Sequence, residues 1–464
     1  MGLKSTGEYG VKKNLYNNFR DAFGHFACFK DVRNFFEASR EQVVATVDGN
    51  VLFNDVAQSV QTFRDYCVAV EDVIRSTMAS AHIVVVVFDE PASLTAAKRE
   101  EQAKRDAQKK KKALVFSDDF STHPETDDYG MEELLKTLNC RDIIYARPAR
   151  ERFFDAVCKQ VLVSLGKTLR EWSKLGHSTH ILFDGLDPLG AERPVGTPRN
   201  PTIYGTSDEL ATFFAHEPIG EGDLKLSKIE SIVRDNELKP RGDRHPLLPD
   251  VWVHLAITID SDSIAIGLLD KGARDVENRE SPNFAGMLVM RERGKRNAEG
   301  DYVSSYLCCD VSVLYNMIQT QMWSLYSGNA TAQLQRTAMA LLCLGFIACG
   351  CDFVEVKGLR SDLVLESVPH LIAEMKDLTV VDQALAGSEY HLERLVGVLD
   401  KLIRLAAFNY GERPRARKAT VASLTTVGPI PLRRAVWTFA YWNHHEQTDT
   451  RLWGFSPPHA IMCG

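Results

Sequence analysis

Residues 43–48, VVATVD, and 83–88, IVVVVF, run with little polar alternation until an acid closes each segment, at Asp48 and Asp89. Continuous apolar runs of this length predict strands covered on both faces of a parallel sheet. Between them Val56, Val60, Phe63, Cys67, Val70 and Ile74 recur at alternating steps of four and three, which predicts an amphipathic helix. KREEQAKRDAQKKKK, residues 98–112, predicts a largely exposed helix. Strand, helix, strand, helix is the signature of an α/β sheet. HILFDG at 180–185 and WVHLAITI at 252–259 add strands, the second running directly into Asp260 and Asp262.

GEGDLKLSKIESIV, residues 220–233, predicts a helix entered through Gly222 with acids in its first turn. From about residue 303 the pattern is mainly helical, including RTAMALLCLGFIACG at 336–350, which ends at Cys351-Asp352. Residues 114–215 carry no clear period, and the Pro/Gly-rich part around 186–207 predicts a long surface loop or insertion. The expectation is an α/β core over residues 1–375, a central mostly parallel sheet flanked by helices. A helical, aromatic-rich C-terminal region, 376–464, follows. Its aromatics, in RRAVWTFAYWNHHEQTDTRLWGF, fit a core better than a base-stacking surface.

Composition narrows the class. At 464 residues, 44% hydrophobic and 25% charged, the chain reads as a globular protein with room for a large core. No stretch approaches the roughly 20 apolar residues of a membrane span, and no apolar segment follows the first lysines as a secretory signal requires. Ten scattered cysteines without zinc-like pairing predict buried thiols in a reducing, intracellular setting, cytoplasmic or nuclear. A net charge of −7 argues against nonspecific coating of nucleic acid. Local charge differs: residues 98–112 hold eight Lys/Arg against three acids. A second basic cluster is Arg413, Arg415, Arg417 and Lys418. Concentrated basic patches on an acidic chain suit a grip on a polyanion at one place; a solvated helix and loop explain the charge equally well.

The acids form a set. Asp48, Asp89, and Asp260 with Asp262 close three strands, where an open parallel sheet binds its ligands. Glu221 and Asp223 open a helix, and Asp352 follows another. Singly, each is an ordinary cap or turn residue. Brought together, seven carboxylates would repel by several kcal/mol unless cations neutralised them. Oxygen-only donors favour Mg²⁺, with Mn²⁺ as a substitute, and one or two such ions can activate water against a phosphodiester.

The order VxxD, VFD with a basic helix, ExD, TxDxD and GCDF resembles the 5′→3′ structure-specific nuclease superfamily, which includes flap endonucleases and Xrn-type exoribonucleases. Scattered blocks over residues 1–375 carry the resemblance. Thr258-Ile259-Asp260-Ser261-Asp262 and Gly350-Cys351-Asp352 look like the flap versions, and Gly220-Glu221-Gly222-Asp223-Leu224-Lys225 looks like the Xrn GEGEHK block. The resemblance implies a resolvase/PIN-like core, a nucleic-acid partner with a 5′ end, and metal-binding catalytic roles for Asp48, Asp89, Glu221, Asp223, Asp260, Asp262 and Asp352. It also implies a 5′-monophosphate pocket from Lys98, Gln102 and Arg105, spaced K-x3-Q-x2-R, with Arg99 and Lys104 adjacent. In the flap branch, Arg99 matches a residue that steers the scissile phosphate. Compact members of this kind resemble those carried by large DNA viruses. The family's N-terminus tucks beside its active site, so Gly2 of MGLKST, which also fits a myristoylation pattern, is better read as structural. Xrn-like cleavage of 5′-phosphorylated single strands, RNA first, is the leading expectation. Flap-type cleavage of DNA is the alternative, and an inactive binding or scaffold protein is the alternative of another class.

Overall fold

The computed structural model describes Leu3 and residues 10–26, 31–32, 38–57, 60, 62–90, 94–95, 97–103, 147–174, 177–185, 203–217, 219–249, 252–277, 284–292, 305–324, 331–351, 353–375, 379–385, 389–414 and 416–442. Asp352, Lys104 and Arg105 lie outside these residues.

The fold is α/β around one eight-stranded mixed sheet. Its strands are β1 (Phe23–Phe26), β2 (Val43–Asp48), β3 (Ile83–Val87), β4 (His180–Asp184), β5 (Tyr204–Gly205), β6 (Trp252–Thr258), β7 (Phe284–Glu292) and β8 (Ser305–Asp310). They lie in the order β1-β8-β7-β6-β2-β3-β4-β5. The five central strands, β7 to β4, pair in parallel, while β1, β8 and β5 are antiparallel additions at the two sides. The chain builds β2, β3 and β4 outward in one direction. It then returns through the Gly222–Glu237 helix to place β6 and β7 on the other side of β2. The gap between β2 and β6 is therefore the switch point, where an open parallel sheet leaves a crevice at the carboxyl ends of its strands.

Strand alternation decides what enters that crevice. Val43, Ala45 and Val47 of β2, Val84 and Val86 of β3, and Ile181 and Phe183 of β4 share a core with Phe53, Tyr66 and Phe154. These aromatics come from the helices Gly49–Val56, Phe63–Met78 and Arg147–Lys174. Val44, Ile83, Val85, Val87 and Leu182 face the other way and pack with Leu226, Ile229 and Val233 of the Gly222–Glu237 helix. Side chains two apart share a face, so Asp48, Asp184 and Thr258 belong to the face covered by the Gly222–Glu237 helix. The ladder aligns them: Asp48 pairs with Val87, and Val87 with Asp184, in a single row.

The C-terminal half is helical. Ala332–Cys349 is the one helix among the described residues long and apolar enough to cross a bilayer, yet 72% of it is buried in the protein. It packs against the helices Asp262–Glu277, Ser361–Glu374, Glu389–Gly411 and Pro429–Trp442, and is a core helix. Trp437, Phe439, Tyr441 and Trp442 are buried there, as the aromatic pattern predicts. One apolar cluster runs from Leu3 and Val11 through Leu268 and Leu344 to Trp442, so the N-terminal segment and the last described helix share a core. Cys158, Cys308, Cys309 and Cys343 are buried thiols.

Candidate functional site: an acidic crevice at the sheet switch point

Three helix N-termini meet at the crevice. Asp48 caps the Gly49–Val56 helix, its Oδ1 accepting the Val51 N–H at 3.1 Å. Asp223 lies in the first turn of Gly222–Glu237, with Glu221 at its cap position, and Asp262 opens Asp262–Glu277. The partial positive charge of each helix start offsets part of the negative charge placed there. Asp89 joins from the end of β3, its Oδ1 accepting the Gly222 N–H at 3.0 Å. Thr258 ties the set together. Its hydroxyl lies 3.4 Å from Asp48 Oδ2 and 3.4 Å from Asp223 Oδ1, and accepts the Asp260 N–H at 3.0 Å. The Ser263 hydroxyl reaches the same Asp223 oxygen at 3.3 Å.

Six of the seven expected acids are thus gathered at one edge, and the seventh, Asp352, lies outside the described residues. Their crowding shows in their protonation. Burial, followed by the charges of Asp89 and Asp260, pushes Asp48 up to about 7. Burial and then Asp260, Asp48, Asp262 and Glu221 hold Asp223 well above the usual carboxylate range. Among the described residues no lysine or arginine pairs with Asp48, Asp89 or Asp223. Nor do three His, Cys, Asp or Glu side chains among them close into a ready-made metal-ligand group. Mg²⁺ keeps most of its waters and takes one or two carboxylates plus substrate phosphate, so it does not require such a group. The donor set these acids offer is all hard oxygen, as Mg²⁺ prefers.

The basic helix differs from its expected form. Residues 97–103 are helical, but Ala97 and Gln102 are buried, so this part is not the largely exposed helix its charge suggests. Lys98 points inward: its Nζ lies 3.2 Å from Glu221 Oε1 and 5.5 Å from the centre of the Phe353 ring. Arg99 is exposed. Lys98 thus sits against the acid cluster and Arg99 outside it, while the positions of Lys104 and Arg105 are not described.

Several participants are absent from the residue set named above. Thr258 stands in the TxDxD motif itself, and its hydroxyl is legible there as a potential bridge. Leu3 is 1% exposed; its N–H donates to Asp262, and its carbonyl accepts the Ser261 hydroxyl at 2.7 Å. Gly2 lies outside the described residues. Tyr441 arrives from the Pro429–Trp442 helix, where burial and the adjacent Glu221 carboxylate keep its phenol protonated well above the usual range. Only tertiary packing brings it here.

No protein-family model matches this chain, and no curated protein matches its sequence.

The raised Asp48 makes stability depend on pH. Between its ordinary value near 3.8 and about 7, Asp48 holds a proton in the folded protein and not in the unfolded chain. Folding therefore loses stability as pH rises through that window and levels off above it. Asp48→Asn keeps a capping side chain and removes the charge. In EDTA at pH 8 it should be more stable than wild type by on the order of 2–4 kcal/mol. At pH 4 the two should nearly coincide. Urea unfolding midpoints at pH 4, 6 and 8 measure the difference, and a gap that does not widen with pH contradicts the assignment.

Proposed function

We propose that the chain is a Mg²⁺-dependent 5′→3′ nuclease of the Xrn-like kind, acting on single strands with a 5′-monophosphate, RNA first. The observation that carries the reading is the gathering of acids from β2, β3, β6 and the Gly222–Glu237 helix at the switch point, with no side-chain cation among the described residues on Asp48, Asp89 or Asp223. Asp48, Asp89, Glu221, Asp223, Asp260 and Asp262 are the described residues that would hold Mg²⁺, or Mn²⁺ in its place. When bound, the ion supplies charge neutralisation at the attacked phosphate and a water of lowered pKa. The protein's own part is orientation. Thr258 holds the Asp48 and Asp223 carboxylates in one register. Lys98 places positive charge against the acids, where a terminal phosphate needs it, and Arg99 is exposed on the same helix. The three helix starts add backbone N–H groups suited to an anionic substrate.

The segment after the Ala332–Cys349 helix spends inside the fold part of the positive charge that flap-type cleavage of a duplex would use. Duplex gripping there needs unspent positive charge. Arg360 instead pairs with Asp362 at 2.7 Å, and Arg413 pairs with Asp362 at 2.8 Å and Glu366 at 2.7 Å. The second basic cluster is partly consumed within the fold.

Asp260→Asn removes one charge at nearly constant shape. Cleavage of end-labelled strands should fall by at least about a hundredfold while binding of the same strands persists, and EDTA should abolish wild-type cleavage. Normal cleavage by Asp260→Asn, or activity undiminished by EDTA, contradicts the reading. Binding without cleavage in the wild type would identify an inactive scaffold instead.

The 5′ end provides a second test. A terminal dianion offers Lys98 and Arg99 charge-assisted bonds that a 5′-hydroxyl cannot. Two such bonds at about 1.5 kcal/mol each give a preference of tenfold or more for 5′-phosphate ends. Lys98→Ala combined with Arg99→Ala should erase that preference. Equal wild-type rates on the two ends, measured side by side with a flapped DNA, would leave the flap-type activity standing in its place.

A further inference from the structure

The row of residues along the carboxyl edge contains one acid treated unlike the rest. Asp184 ends β4 on the same face as Asp48 and in the same ladder row, two strands away. Among the described residues Asp48 has no side-chain cation, whereas Asp184 has Lys225, whose Nζ donates to Asp184 Oδ1 at 3.2 Å. Both side chains are 0% exposed. Lys225 Nζ also lies 3.8 Å from Glu90 Oε2, and His216 Nε2 stands 3.5 Å from Asp184 Oδ2. A buried lysine without partners is costly, so this cluster persists only because its members meet.

We infer that Lys225 is a positioning residue that locks the three acid-bearing segments of the crevice to one another. The contacts are specific to that task. Glu90 adjoins Asp89, and the Glu90 N–H donates to the Gly220 carbonyl at 2.8 Å, just before Glu221. The Phe88 N–H donates to the Asp184 carbonyl at 2.8 Å. Lys225 itself belongs to the helix that starts beside Glu221 and Asp223. One ammonium group thus joins the end of β4, the segment following β3 and the helix start that presents Asp223. Gly185 makes room for it. With φ at +93°, a Cβ there would come within 2.6 Å of Lys225 Nζ and 2.5 Å of the Phe88 carbonyl oxygen. Because Lys225 is completely enclosed, substrate cannot reach it, and its effect must pass through the acids it places.

This inference rests on the proposed metal-dependent nuclease reading, and its test separates the two. Lys225→Met alone would strand the buried Asp184 carboxylate, so the informative variant is the full chain carrying Lys225→Met with Asp184→Asn. It retains volume and leaves an uncharged amide at the end of β4. Asp184→Asn alone, which keeps the Lys225–Glu90 contact, is the milder comparison. Thermal unfolding in EDTA reports folding; Mg²⁺ titrations followed by thermal shift and by cleavage report positioning. The double variant should melt within a few degrees of wild type. It should need at least tenfold more Mg²⁺ for half-maximal stabilisation and half-maximal cleavage, with KM for the strand within about twofold and kcat recovering as Mg²⁺ is raised. Asp184→Asn should fall between. An unchanged Mg²⁺ midpoint overturns the inference, as does a lower melting temperature with activity reduced in proportion, since that marks a merely structural group. If wild type shows neither Mg²⁺ stabilisation nor cleavage, the nuclease reading fails and takes this inference with it.

Discussion

Mutual repulsion among carboxylates at the switch point is the constraint around which this fold is arranged. Two such charges about 5 Å apart at an effective dielectric near 20 repel by roughly 3 kcal/mol, and six acids gather here. The fold answers in three ways. It ends strands and begins helices at the same place, so that helix N-termini face the acids. It protonates Asp48 and Asp223 more readily than ordinary carboxylates. And it holds the acids with neutral donors, namely the hydroxyls of Thr258 and Ser263 and the backbone N–H groups of Val51 and Gly222. Each device lowers the cost of holding these acids together.

The placement of lysines and arginines follows the same logic. Lys225 neutralises Asp184 where rigidity is needed, and Lys98 meets Glu221 at the margin where the basic helix begins. Farther away, Arg274 pairs with Glu230 at 2.6 Å, and His254 joins Glu230 to the Thr46 hydroxyl beneath the helix. Among the described residues, positive side chains meet Asp184, Glu221 and Glu230, and none pairs with Asp48, Asp89 or Asp223. Loss of one strut would therefore alter geometry at several acids at once.

Much of this was legible in the sequence, for reasons particular to each element. β2, β3, β4 and β6 are visible as apolar runs because strands covered on both faces need no polar alternation. The acids that close them are visible for the same reason. β1, β5 and β8 escape notice because they are short or mixed side strands, and the 28-residue Arg147–Lys174 helix opens in a charged segment without a clear period. The continuous pattern from Val56 to Ile74 suggests one helix, but Thr62 starts a second, its hydroxyl capping the Asp65 N–H at 3.1 Å. The basic run looks exposed because charge is what the sequence displays, yet the Lys98–Glu221 contact depends on tertiary packing. Asp184 carries the same strand-end signal as Asp48; nothing local distinguishes an acid answered by a buried lysine from one left open.

The central claim is that these acids jointly hold a divalent cation, and locating that cation tests it most directly. Crystals grown with Mn²⁺ should give one or two anomalous-scattering peaks in the crevice, within direct or water-mediated reach of Asp48, Asp223 and Asp260. These peaks should vanish from Asp48→Asn/Asp260→Asn crystals grown in the same way. A crevice without anomalous density at millimolar Mn²⁺, or a peak bound only elsewhere on the protein, would contradict the account.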